Sequence, residues 1–387
     1  MSKVLQEIER LAADRTNQLK KAKEEGRKVI QYTSSFIPDE IIRAAGAEPY
    51  LMCRGGEPEP TEVILDDMLR FMNPLARSMA GFYKMGMDPV TPISDLIITH
   101  QNECHTGRIT ELLEAWGLPV AKVGVPVDWD RDFAFEYYYD GLKEMVAKIE
   151  EVTGNKVDMT KAREYMSDTN RINAGLRKID ALRKKDNPPI GELEFIKLVH
   201  HSYMIEPKLM IQKLDELYEE LKDAPGKFAP NAPRLLLFGH AVAIGDYTVP
   251  RVFEESGAVF VTEFLDEGIR PFKWDVDVEA DDLLLAFAKS RYLEKPPVNI
   301  FQPSWKTRFD YTKQLISDYR VDGVVSYQLV FDEIYNMEFA CLAKWLDEMK
   351  VPLVKIESSY EYSRESMAPL TTRIESFVDS VKEVKNK

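Results

Sequence analysis

The sequence predicts an α/β protein with two parallel-sheet domains and a helical middle region, and three observations predict it. Short apolar runs alternate with helix-period segments in the first third of the chain and again in the last. Between them, from about Arg131 to Lys222, long helical patterns run with almost no strand signal. The two flanking series are weakly alike: strand, turn, helix, then a short strand after Gly or Pro. A duplicated, Rossmann-like architecture is therefore expected. It divides into an N-terminal Rossmann-like domain with a lead-in helix (1–130), a helical region (131–225) and a C-terminal Rossmann-like domain (226–387).

The elements follow in order. Val4, Leu5, Ile8, Leu11, Ala12 and Leu19 recur at helical spacing, so 3–28 reads as one amphipathic helix. Residues 28–32 (KVIQY) read as the first strand. Ser34, Ser35 and Pro38 mark a turn, and Asp39 and Glu40 suit the positive end of a short helix that Ala44-Ala45-Gly46 closes. Residues 49–52 are a second strand, 62–86 are helical, 95–100 (DLIITH) are a buried strand, 106–116 a helix and 119–123 a strand. In the middle region, helices are expected over 137–152, 160–185 and 192–223, broken by Asn187-Pro188-Pro189. Pro225-Gly226, Pro230 and Pro233 form a linker. Strands follow at 234–239, 258–261, 323–326 and 351–357, with a closing helix over 367–384.

Composition narrows the partners. A formal net charge of −14 argues against nucleic acid, whose phosphates need a basic surface. No stretch reaches the ~20 apolar residues of a membrane span, and Met1 to Lys28 holds no apolar signal-peptide core, so a cytoplasmic protein is expected. Three scattered cysteines fit a reducing compartment. The glycine-rich fingerprints of dinucleotide-binding and P-loop proteins are absent, as are H-E-x-x-H and C-x-x-C.

Candidate chemistry collects after strands, because ligands of open α/β sheets bind beyond the strands' carboxyl ends. Cys104 and His105 follow one strand, and a thiolate there could hold a metal or cluster. Cys53 follows another, beside Arg54, whose charge could lower its pKa. His240 follows a third. Cys341 lies in an apolar helical run and is expected in the core, and His200-His201 are expected to include one exposed ring. The loop 264–272 could shape an entrance or be a structured turn.

Several segments together resemble the benzoyl-CoA reductase/2-hydroxyacyl-CoA dehydratase family, specifically its smaller subunits. They are Lys28-Val29-Ile30 followed by the 36–49 segment FIPDEIIRAAGAEP, then Asn73-Pro74-Leu75-Ala76-Arg77-Ser78, which is similar to the family's Cys-Pro-x-x-Arg-Ser. Asn102-Glu103-Cys104-His105-Thr106 is similar to its Cys-Asp-Thr, 268–272 (GIRPF) to its Arg-x-Phe segment, and 322–325 and 351–357 to its last two strands. The resemblance implies two Rossmann-like domains per subunit and a second homologous subunit. It also implies a [4Fe-4S] cluster held by three cysteines, and a separate activator that hydrolyses ATP and injects one electron. The acyl-CoA thioester then becomes a ketyl radical, which loses a 2-hydroxyl or has an aromatic ring reduced. Here only Cys104 matches a cluster cysteine; the first ligand position falls at Asn73 and the third at Phe331 or Asp332. Either the chain has lost its cluster, the simplest reading, or Cys104 joins ligands from a partner, or Asp332 serves as an oxygen ligand.

The resulting expectation is a subunit of an ATP-activated radical enzyme acting on an acyl-CoA. Ser34, Ser35, Cys104, His105 and His240 would line its crevice; the serines would bond the thioester or a water, and His105 would move a proton. Arg54, Arg270 and Lys273 are candidates for the nucleotide end of CoA. Two rivals stand beside it: a non-catalytic scaffold or CoA-binding subunit, and a homodimeric enzyme of non-redox chemistry.

Overall fold

In the computed structural model, the described residues are 2–102, 104–129, 131–265, 270–295 and 304–385. The chain opens with two helices, α1 (Lys3–Ala13) and α2 (Arg15–Glu24), where the sequence suggested one. The first sheet unit follows: β1 (Val29–Tyr32), α3 (Asp39–Ala44), β2 (Glu48–Leu51), α4 (Pro58–Val63), α5 (Pro74–Lys84), β3 (Leu96–Gln101), α6 (Cys104–Ala115) and β4 (Val120–Gly124). Its four strands are parallel in the order β2-β1-β3-β4, with Ile30 beside both Pro49 and Leu96.

Four helices come next: α7 (Asp132–Thr153), α8 (Met159–Leu182), α9 (Glu192–His201) and α10 (Pro207–Leu221). The single helix expected over 192–223 is thus two. Pro207 cannot continue a helix but suits its first turn, and the Glu206 side chain accepts the Leu209 N–H at 3.0 Å to cap the new start.

The second sheet unit holds β5 (Arg234–Gly239), α11 (Thr248–Glu255), β6 (Val259–Leu265), α12 (Leu283–Ala288), α13 (Ser304–Asp318), β7 (Gly323–Leu329), α14 (Glu333–Glu348), β8 (Leu353–Ser358) and α15 (Arg364–Lys385). A π-helical turn, Lys289–Glu294, extends α12. Its strands are parallel in the order β6-β5-β7-β8, the order of the first sheet repeated.

Strand alternation sorts each sheet into two cores. Leu96 and Ile98 face α3 and α7, whereas Ile97 faces α5 and α6. Leu235 and Leu237 join α8, α9 and α15, whereas Leu236 and Phe238 pack with α13 and α14. The middle helices are shared between the sheets. α7 and the start of α8 (Ala162, Met166) cover the first; the rest of α8 (Ile172, Leu176, Ile179), α9 and α10 join the core of the second. No helix of the described residues is long and apolar enough to cross a membrane.

The two units are locked together just beyond β2 and β5. The Ile244 N–H donates to the Cys53 carbonyl at 2.8 Å, and the Gly55 N–H donates to the Ile244 carbonyl at 3.1 Å. The contact admits no side chain: a Cβ on Gly245 (φ 110°) would sit 2.5 Å from the Gly55 oxygen, and one on Gly56 (φ 90°) 2.7 Å from the Asp246 Cα.

Candidate functional site at the shared strand ends

In each sheet the chain leaves the first strand toward one edge and returns on its other side, so a crevice opens beyond β1/β3 and beyond β5/β7. Both crevices open into one cleft of about 770 Å³, counting its space open to solvent. Thr33, Cys53, His100 and Asn102 line it from the first unit, and His240, Asp332 and Tyr335 from the second.

Each switch point carries an imidazole facing the neighbouring strand end. In the first sheet, His100 Nδ1 lies 2.7 Å from the Thr33 hydroxyl oxygen, which also accepts the His100 backbone N–H at 3.1 Å. In the second, His240 Nε2 lies 3.3 Å from Asp332 Oδ2, both side chains nearly buried. His240 Nδ1 lies 2.9 Å from the Ala241 carbonyl, which only accepts, so Nδ1 carries a proton. A neutral ring would then turn the Nε2 lone pair toward the carboxylate. The contact is attractive only if the pair holds one further proton, on Nε2 or on Asp332. Tyr335 packs edge-on against the His240 ring at 5.1 Å. Behind them, Asp246 accepts from the hydroxyls of Tyr327 and, at 2.7 Å, Tyr362; burial pushes its carboxyl above the usual range.

Asn73 reaches the cleft because the turn before α5 is pinned. Its Oδ1 caps α5 by accepting the Ala76 N–H at 2.8 Å, and the buried Arg77 donates to the carbonyls of Met72 at 3.1 Å and Thr61 at 3.0 Å. The Asn-Pro-x-x-Arg run is therefore a local clamp.

Of the residues the sequence singled out, His240, expected in the crevice, and Asp332, offered as an oxygen ligand, come together in the cleft. Ser34 is buried with its hydroxyl accepting the Phe36 N–H at 3.3 Å, outside the cleft. Ser35 and Arg270 line a different chamber together. Cys104 is exposed at the start of α6, with His105 half-buried next to it. Arg54 stacks on Phe82 at 3.9 Å and pairs with Glu57 at 2.9 Å, and Cys53 beside it is buried. Lys273 donates to the Glu263 carbonyl at 3.2 Å. Cys341 is half-buried on α14 rather than in the core, and of the two adjacent histidines His200 is fully buried and His201 half-buried. Within the loop 264–272, residues 266–269 lie outside the described residues, as does Glu103. Sequence reasoning passed over Thr33 and His100; their signal was that both end a strand of the first sheet.

A cubane cluster takes about four ligands, mostly thiolates. Among the described residues, no three His, Cys, Asp or Glu side chains converge as a metal-holding group. The cleft's lining holds one thiol, Cys53; the Asn73 oxygen caps a helix, and Asp332 faces His240. These donors do not fit a cluster held by this chain alone.

Comparison with known proteins bears on the same strand ends. The family model described as 2-hydroxyglutaryl-CoA dehydratase, D-component, matches residues 34–381. The chain belongs to that family. Among relatives of the D-component family, the beta subunit of (R)-2-hydroxyglutaryl-CoA dehydratase from Acidaminococcus fermentans is 20% identical, with 98% of this chain and 100% of the relative covered. YjiM of Escherichia coli (strain K12), provisionally named a dehydratase subunit, is 24% identical, with 92% of each chain covered. The family read from the 36–49 and 73–78 segments is the family found.

Proposed function

We propose that this chain is a subunit of a heteromeric 2-hydroxyacyl-CoA dehydratase whose iron–sulfur centre lies in partner chains. The observation that carries the reading is the donor set of the cleft. Among its described lining residues are Asn73, His100, His240 and Asp332, with Cys53 as the one thiol. Removal of a 2-hydroxyl is favoured over ring reduction because the family and both relatives carry dehydratase names. In this reading the acyl-CoA thioester enters the cleft. A separate ATP-hydrolysing activator delivers its electron to the partner, and ATP does not act on this chain. The chain contributes position and a proton: Thr33 and Asn102 offer hydrogen bonds to the thioester, and the His240–Asp332 pair supplies a proton to the departing hydroxyl. Cys104, exposed at the start of α6, and His105 beside it are available to a partner chain in this reading.

A scaffold role is the second reading, favoured by the commitment of Asn73 to its cap and of Asp332 to His240. Iron and acid-labile sulfide, measured anaerobically on the complex and on the separated chain, test the proposal. Iron in the complex and none in the separated chain is expected. About four irons on the separated chain would overturn it.

A further inference from the structure

A second chamber lies apart from the cleft, where the first unit meets the middle helices. It is lined by Ser35, Asp39, Glu40, Tyr203, Arg270 and Arg291, among others, and its space, counting that open to solvent, is about 250 Å³. Two of its walls are cationic. Arg270 is 5% exposed and Arg291 4% exposed. Neither has a carboxylate within ion-pair distance among the described residues. Arg270 donates to the Ser202 hydroxyl at 2.8 Å and the Ser202 carbonyl at 3.2 Å, and lies over the Tyr203 ring at 4.2 Å. Arg291, on the π-helical turn, donates to the Trp274 carbonyl and the Ser290 hydroxyl, both at 2.9 Å. These contacts satisfy hydrogen bonds but place no carboxylate directly against either charge, and guanidinium stays charged when buried.

Two acids share the chamber, and Glu40 attracts Arg291 across a gap longer than an ion pair. Asp39 faces Arg43 at 3.4 Å. Glu40 is 3% exposed with one carboxyl oxygen lacking any hydrogen-bond partner. Burial first, then the charge of Asp39, raises its pKa. Two buried cations, a hydroxyl, an unpartnered carboxyl oxygen of Glu40 and the Arg43-paired Asp39 thus surround one small space in a protein of net charge −14. Buried charges are normally paired, and buried polar atoms are normally hydrogen-bonded.

We propose that this chamber binds a small monovalent oxyanion, no larger than acetate, held between Arg270 and Arg291 with the Ser35 hydroxyl as a further donor. The anion's two oxygens accept from the guanidinium edges, and its charge adds to the attraction that Glu40 gives Arg291. The site is independent of the cleft and of the dehydratase reading.

Thermal unfolding of the full chain, in whatever complex it purifies, tests this. Formate, acetate, butyrate and phosphate are titrated at constant ionic strength, held with HEPES. A saturable rise in Tm is expected with formate or acetate, roughly 3 °C at a hundredfold excess over Kd. Butyrate and phosphate are expected to do less. Arg291→Met should abolish the rise. A non-saturating response shared by all salts would overturn the proposal. So would a formate response retained in Arg291→Met, or a response to phosphate that exceeds formate. If that variant does not fold, calorimetric titration of formate into the wild-type protein and Ser35→Ala decides: no saturable heat, or equal affinity in both, overturns it.

Discussion

The geometry of a single contact, His240 Nε2 to Asp332 Oδ2 at 3.3 Å, makes a prediction at the residue scale. Because Nδ1 is committed to the Ala241 carbonyl, the proton between the two side chains depends on the carboxylate. Asp332→Asn keeps the shape and removes the charge. Turnover of a 2-hydroxyacyl-CoA by the reconstituted complex should fall about 10²-fold or more if the pair donates a proton. Unchanged turnover with intact binding would favour the scaffold reading. The sequence showed His240 beyond a strand and, through the resemblance, Asp332 as a possible oxygen ligand, but not that they meet. It also could not tell Thr33 from Ser35. Residues two apart beyond a strand end need not share a direction, and here Thr33 lines the cleft while Ser35 lines the other chamber.

Among elements, the pair α4 and α5 is the tightest crossing in the described residues around the cleft, and it positions Asn73. A Cβ on Gly81 would lie 1.9 Å from the Pro60 carbonyl oxygen, so the helices approach backbone to backbone. Gly81→Ala must separate them, at a cost of about 3 kcal/mol or more. A lower urea midpoint with an unchanged m-value would show it. The strands 28–32, 95–100 and 234–239 were legible because each is a short apolar run bounded by turn residues. The break between α9 and α10 was not, since apolar positions continue on both sides of Ser202–Glu206 and periodicity does not register a pause that preserves phase. The segment 283–294 was passed over for the opposite reason: Leu283 to Ala288 is apolar all round, and its pattern does not point to one face.

For the whole molecule, the repeated strand order was legible as a weak likeness between two halves, and the lock between them was not. That lock depends on Gly55, Gly56 and Gly245 meeting across about 190 residues of sequence, a contact no local pattern encodes. Gly245→Ala places a side chain at φ 110° against the Gly55 oxygen. A loss of about 1–3 kcal/mol is expected. Tryptophan fluorescence and circular dichroism transitions that coincide in the wild type should then separate as the halves unfold unequally. The same lock has a kinetic meaning. Proteins that clamp a ligand between two lobes admit it at the pace of lobe motion, microseconds to milliseconds. Here the lobes are stitched at the floor of the cleft, so a molecule passes only as side chains at the rim step aside, within nanoseconds for exposed groups. Filling and emptying of this cleft then keep pace with diffusion, and the slow step of any turnover falls to the chemistry or to the assembly around it.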